Sequence, residues 1–188
     1  GSDGADTAFS GSLQARVVLE KIGTGTLSYS NTAASAGLLR VSEGSVSAAS
    51  GGALGQTSVE LDGGSLKTPL TAPGQRFSGP LLLAQDAVLD RTGATAEFVW
   101  SGSLLPTNAV GTPVLTVSGG VGPFTVGSTD RSAVFAIDVS AASGVVFTNR
   151  FWLETLPVSS SWNIASGSDV TIGTAGLLGS GPLTVNDY

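Results

Sequence analysis

The chain of 188 residues contains no histidine, no cysteine and no methionine. Each absence removes a class of chemistry. Without His or Cys there is no Ser-His-Asp triad, no thiol nucleophile, no imidazole acid–base group and no ordinary zinc or iron–sulfur site. Without Cys there is no disulfide framework, so stability must come from packing and backbone pairing. A chain without Met lacks its own start residue, and the expectation is a processed chain or part of a longer polypeptide. Its opening Gly1-Ser2-Asp3-Gly4 has neither the basic nor the apolar region of a signal peptide.

Charge is scarce as well. Only 12% of residues are charged, with 8 Lys and Arg against 14 Asp and Glu and a net charge of -6. The basic residues are scattered without a run, which argues against nucleic acid and against an anionic membrane surface as partner. No apolar stretch approaches the ~18–20 residues that a spanning helix needs. Good helix formers in heptads are missing too, which excludes coiled coils and helical bundles.

What is abundant is Gly, Ser and Thr: 27, 26 and 19 residues, together 72 of the 188. Such a composition suits either disorder or a β fold, and hydropathy decides between them. Mean hydropathy is +0.30, and 41% of residues are hydrophobic, enough for one domain with a sizeable core. Short alternating runs bounded by Gly, Ser, Asn or Pro recur, as in Thr26-Leu27-Ser28-Tyr29, Leu39-Arg40-Val41, Ser58-Val59-Glu60-Leu61 and Val114-Leu115-Thr116-Val117. No segment sustains a helical period, and the fold class expected is all-β.

Internal similarity narrows this further. An aromatic-Ser-Gly-x-Leu motif occurs three times, as Phe9-Ser10-Gly11-Ser12-Leu13, Phe77-Ser78-Gly79-Pro80-Leu81 and Trp100-Ser101-Gly102-Ser103-Leu104. Val41, Gly44, Leu54, Gly55, Val59 and Leu61 also match Ile164, Gly167, Leu178, Gly179, Leu183 and Val185 with one inserted residue. Approximate repeats that keep Gly and the apolar positions point to stacked coils, a parallel β-helix or β-solenoid. With ~20–25 residues per coil the chain makes about eight coils, a rod ~40 Å long. A single domain over 1–188 is expected, with a clear repeat over 9–66 and a second partial repeat over 161–188. Between them, 67–160 read either as divergent coils or as an irregular β-rich insertion in the middle of the rod.

The first third carries an ordered series: Lys21-Ile22-Gly23-Thr24-Gly25-Thr26-Leu27, then Gly37-Leu38-Leu39-Arg40-Val41-Ser42-Glu43-Gly44, then Ala53-Leu54-Gly55, then Val59-Glu60-Leu61-Asp62-Gly63-Gly64-Ser65-Leu66. Leu177-Leu178-Gly179-Ser180-Gly181-Pro182-Leu183-Thr184-Val185 matches the late part of the same pattern. In this order the chain resembles the autotransporter-associated β-strand repeat, the passenger-type β-helix of bacterial secreted and surface proteins. That resemblance implies an extracellular or cell-surface location. The match fails over 67–160, and the family's C-terminal membrane barrel is absent from the sequence.

Candidate sites are few. Asp86 and Asp90, beside Arg91, form the one acidic pair close in sequence that suggests a carboxylate site. β-Helical polysaccharide lyases and glycosidases use such groups. The competing reading, solvated turn residues that keep an acidic rod soluble, is the one favoured. Arg150, Trp152 and Glu154 alternate and would share one strand face, where an aromatic flanked by opposite charges suits a sugar ring and equally suits a surface Trp beside a cross-face ion pair. Trp100 and Trp162 read as corner packing. Gly23-Thr24-Gly25 and Gly119-Gly120-Val121-Gly122 read as β-turns, because neither carries the Lys-Ser/Thr of a phosphate loop. No cofactor and no metal is expected. The expected function is a noncatalytic structural or adhesive module of a bacterial surface protein or fibre. Its partners would be a second copy stacked end to end, or neighbouring repeats of a longer chain, with a glycan or host surface as a further partner. The alternatives are a carbohydrate-active enzyme and a glycan-binding module on the same fold.

Overall fold

The computed structural model describes residues 4–31, 36–96, 98–107 and 113–120, and beyond these the backbone of strands at 124–129, 136–140, 145–147, 161–164, 170–172 and 183–185. The first coils contain β1 (Thr7–Phe9), β2 (Val18–Lys21), β3 (Thr26–Tyr29), β4 (Leu38–Val41) and β5 (Ser45–Ala48). A single helical turn, α1 (Gly51–Leu54), precedes β6 (Ser58–Leu61), β7 (Ser65–Lys67), β8 (Gln75–Phe77), β9 (Leu81–Leu83) and β10 (Ala87–Asp90). Then come β11 (Phe98–Pro106), β12 (Val114–Ser118), β13 (Phe124–Thr129), β14 (Ala136–Ser140), β15 (Val145–Phe147), β16 (Ser161–Ile164), β17 (Val170–Ile172) and β18 (Leu183–Val185).

These strands form two sheets. One runs in the order β1-β3-β5-β7-β10-β12-β14-β16-β18; the other runs β2-β4-β6-β9-β11-β13-β15-β17, with β8 also paired to β11. Every neighbour is parallel and lies one coil away, so the chain winds between the sheets as it advances. The result is an all-β parallel β-solenoid of about 5 turns over residues 7–105. The β12–β18 strands carry the same pairings onward.

Alternation along each strand decides which side chains meet in the interior. In the second sheet Leu39 pairs with Val59, Val59 with Leu81, and Leu81 with Leu104; in the first, Leu27 pairs with Val46, Val46 with Leu66, Leu66 with Leu89, and Leu89 with Val117. All of these are buried. Each such Leu or Val contributes roughly 1.5–3 kcal/mol by leaving water. The matched segments noted in the sequence each span one coil step, since Val41 pairs with Leu61 and Ile164 pairs with Val185. They lie in different sheets.

The aromatic-Ser-Gly motif is two different stacks. Phe77 and Trp100 are register partners on successive coils, packed edge to face with ring centroids 5.4 Å apart. The Trp100 indole N–H donates to the Gly79 carbonyl at 2.8 Å, and the Ser101 hydroxyl donates to the Phe77 carbonyl at 3.1 Å. Ser78 does the same one coil earlier, to Gly55 at 3.0 Å. Gly is required because the corner backbones nearly touch: a Cβ on Gly102 would overlap the Gly79 carbonyl, and one on Gly79 would overlap the Thr57 carbonyl. Phe9-Ser10-Gly11 belongs instead to the other sheet, where Phe9 stacks on Tyr29 at 5.5 Å and the following coil reads Tyr29-Ser30-Asn31.

This packing separates two glycines. Gly102→Ala forces a methyl into backbone and is expected to destabilise the fold by about 2–4 kcal/mol. Gly52→Ala, in α1 with nothing within 4 Å of the new Cβ, should be neutral or stabilise by up to ~1 kcal/mol. Urea unfolding followed by far-UV circular dichroism reads both.

Candidate functional site

Of the acids singled out by sequence, Asp86 and Asp90 serve the backbone. Asp86 Oδ1 accepts the Val114 N–H at 2.8 Å, and Asp90 Oδ1 accepts the Thr92 N–H at 2.8 Å. Asp6 repeats the first arrangement, accepting the Thr26 N–H at 2.7 Å. Asp6 and Asp86 each stand just before a strand of the first sheet and cap the entry of the strand in the next coil. Four residues of extended chain separate Asp86 from Asp90 by ~13 Å, against the ~5–9.5 Å that glycosidic carboxylate pairs span. Among the described residues no group of three or more Asp or Glu is placed to share a metal ion.

Arg91 overturns the expectation of a solvated turn. It is fully buried. The Thr68 N–H donates to the Asp90 carbonyl and the Arg91 N–H to the Ser118 carbonyl, which places Arg91 above Thr68 in the inward column begun by Tyr29 and Ala48. Gly120, at φ 77, lies against the guanidinium, where a Cβ would come 3.3 Å from Cζ. Burial pushes the guanidinium pKa down to about 10, so it stays charged at neutral pH. Trp100 is buried and hydrogen-bonded, as corner packing requires. Gly23-Thr24-Gly25 forms a bend between β2 and β3, and Gly119 and Gly120 follow β12 at positive φ; Val121, Gly122, Arg150, Trp152 and Glu154 lie outside the described residues.

Sequence reasoning placed Lys21 in a family-like motif without a role. The structure turns it inward, in register with Val41, Leu61 and Leu83, and leaves it 4% exposed. Its ammonium reaches past the strand end to the corner. There it donates to the carbonyls of Ile22 at 2.8 Å, of Gly23, and of Glu43 at 3.4 Å. The Glu43 carboxylate accepts the Gly23 N–H at 3.0 Å. Gly44, at φ 64, closes the corner in a left-handed turn where a Cβ would sit 2.9 Å from Lys21 Nζ. The Lys-x-Gly-x-Gly spacing was the signal: one long cation reaching a turn rich in bare carbonyls.

On the outer face of the second sheet Glu20, Arg40 and Glu60 are in register on consecutive coils. Arg40 Nε donates to Glu60 Oε2 at 3.0 Å. That hydrogen bond and the Glu60 charge hold Arg40 above its ordinary pKa. Beside this column lies a shallow groove of about 290 Å³ lined by Val17, Val18, Leu38 and Leu82, among others. It opens toward the edge strand β2. Val17 and Val18 are 46% and 54% exposed there, and Arg16 enters β2 at φ 71, the one non-Gly residue at positive φ among those described.

Lys21→Met keeps the aliphatic stem but strands the buried Gly23 carbonyl and removes the donor of the Ile22 carbonyl. The expected loss is ~1–3 kcal/mol, largely insensitive to salt because the partners are dipoles, not ions. Arg40→Gln takes the cation from the mostly buried Glu60 carboxylate and should cost ~1–3 kcal/mol, with a response to salt. Paired urea titrations at low and high ionic strength check both.

No family model matches the chain, and no curated protein or solved structure does; the fold is assigned on its geometry and no family is assigned.

Proposed function

We propose that this chain is a noncatalytic structural module, a β-solenoid segment of an extracellular surface protein or fibre, in which the coils continue past residue 105 to about eight. The observation that supports it is the filled interior. The columns Leu27–Val46–Leu66–Leu89–Val117 and Leu39–Val59–Leu81–Leu104 are filled with Leu and Val at 0–7% exposure, and Phe77 and Trp100 are buried beside them. Of the two acids that sequence marked as candidates, Asp86 caps the entry of β12 and Asp90 accepts the Thr92 N–H just past the end of its own strand. A solid core makes a stiff rod, and each coil depends on its neighbours for cover. The resemblance of the first third to passenger repeats supports an extracellular setting.

Two measurements test this. Small-angle scattering of the purified chain should give an elongated particle ~40 Å or more in length; a compact sphere would sink the rod. Incubation with a panel of uronic-acid and neutral polysaccharides should release neither unsaturated nor reducing sugars. Release abolished by Asp86→Ala or Asp90→Ala would replace the structural reading with a catalytic one.

A further inference from the structure

We draw no further inference here: the strongest candidate, the shallow apolar groove on the outer face of the second sheet lined by Val17, Val18, Leu38 and Leu82 among others, carries nothing because no feature of the structure shows what covers it.

Discussion

The distance between coils is fixed before any side chain is considered. Parallel backbone hydrogen bonds hold neighbouring strands ~4.8 Å apart, and every side chain, corner and buried charge must fit that repeat. Where the chain turns with its backbone close to the coil beneath, only hydrogen fits on the α-carbon, and this places Gly79 and Gly102 one above the other. The same spacing brings the hydroxyls of Ser78 and Ser101 within reach of carbonyls one coil earlier. It also packs Trp100 edge to face on Phe77. Phe77-Ser78-Gly79 and Trp100-Ser101-Gly102 are thus a single solution to one spatial problem: cover the core, satisfy a carbonyl, and leave room.

Two buried cations show how the fold accommodates charge within this constraint. Lys21 enters the interior as a stem among aliphatic side chains and leaves it as an ammonium among corner carbonyls. Its hydration is replaced by fixed dipoles, and no carboxylate needs to be buried with it. Arg91 sits deeper, in a column that carries aromatics in earlier coils, and its lowered pKa records desolvation as the cause. By contrast, Glu20, Arg40 and Glu60 remain on the outer face, where alternating charge in register adds little stability but disfavours a slipped ladder.

Much of the architecture was legible in the sequence because the information was local. Alternation in Leu39-Arg40-Val41 and Ser58-Val59-Glu60-Leu61 identifies strands, and their recurrence at nearly constant spacing identifies coils. The assignment of those strands to sheets was not legible. Phe9-Ser10-Gly11 reads like Phe77-Ser78-Gly79, yet they stack in different sheets, since the choice depends on pairing with residues a full coil away. Charged positions misled for a related reason. A charged residue beside a strand ordinarily marks solvent, but Arg91 continues the inward alternation of Ala87 and Leu89 past the strand end, and position won over polarity. Asp86 has the composition of a catalytic acid and the geometry of a strand cap. Only the Val114 N–H, 28 residues away, distinguishes the two.

Cohesion in such a fold is a sum over neighbouring coils, so it is unevenly distributed even when every coil is well formed. An interior coil is covered on both sides, and its inward residues reach zero exposure, as Leu39, Val59 and Leu66 do. The first coil is covered on one side, and there Phe9 and Leu19 keep part of their surface in water. The capping carboxylate of Asp6 and the carbonyl cage around Lys21 both fall within that coil. These polar devices hold in place a coil that apolar burial alone secures least. They stabilise its corners and its paired side.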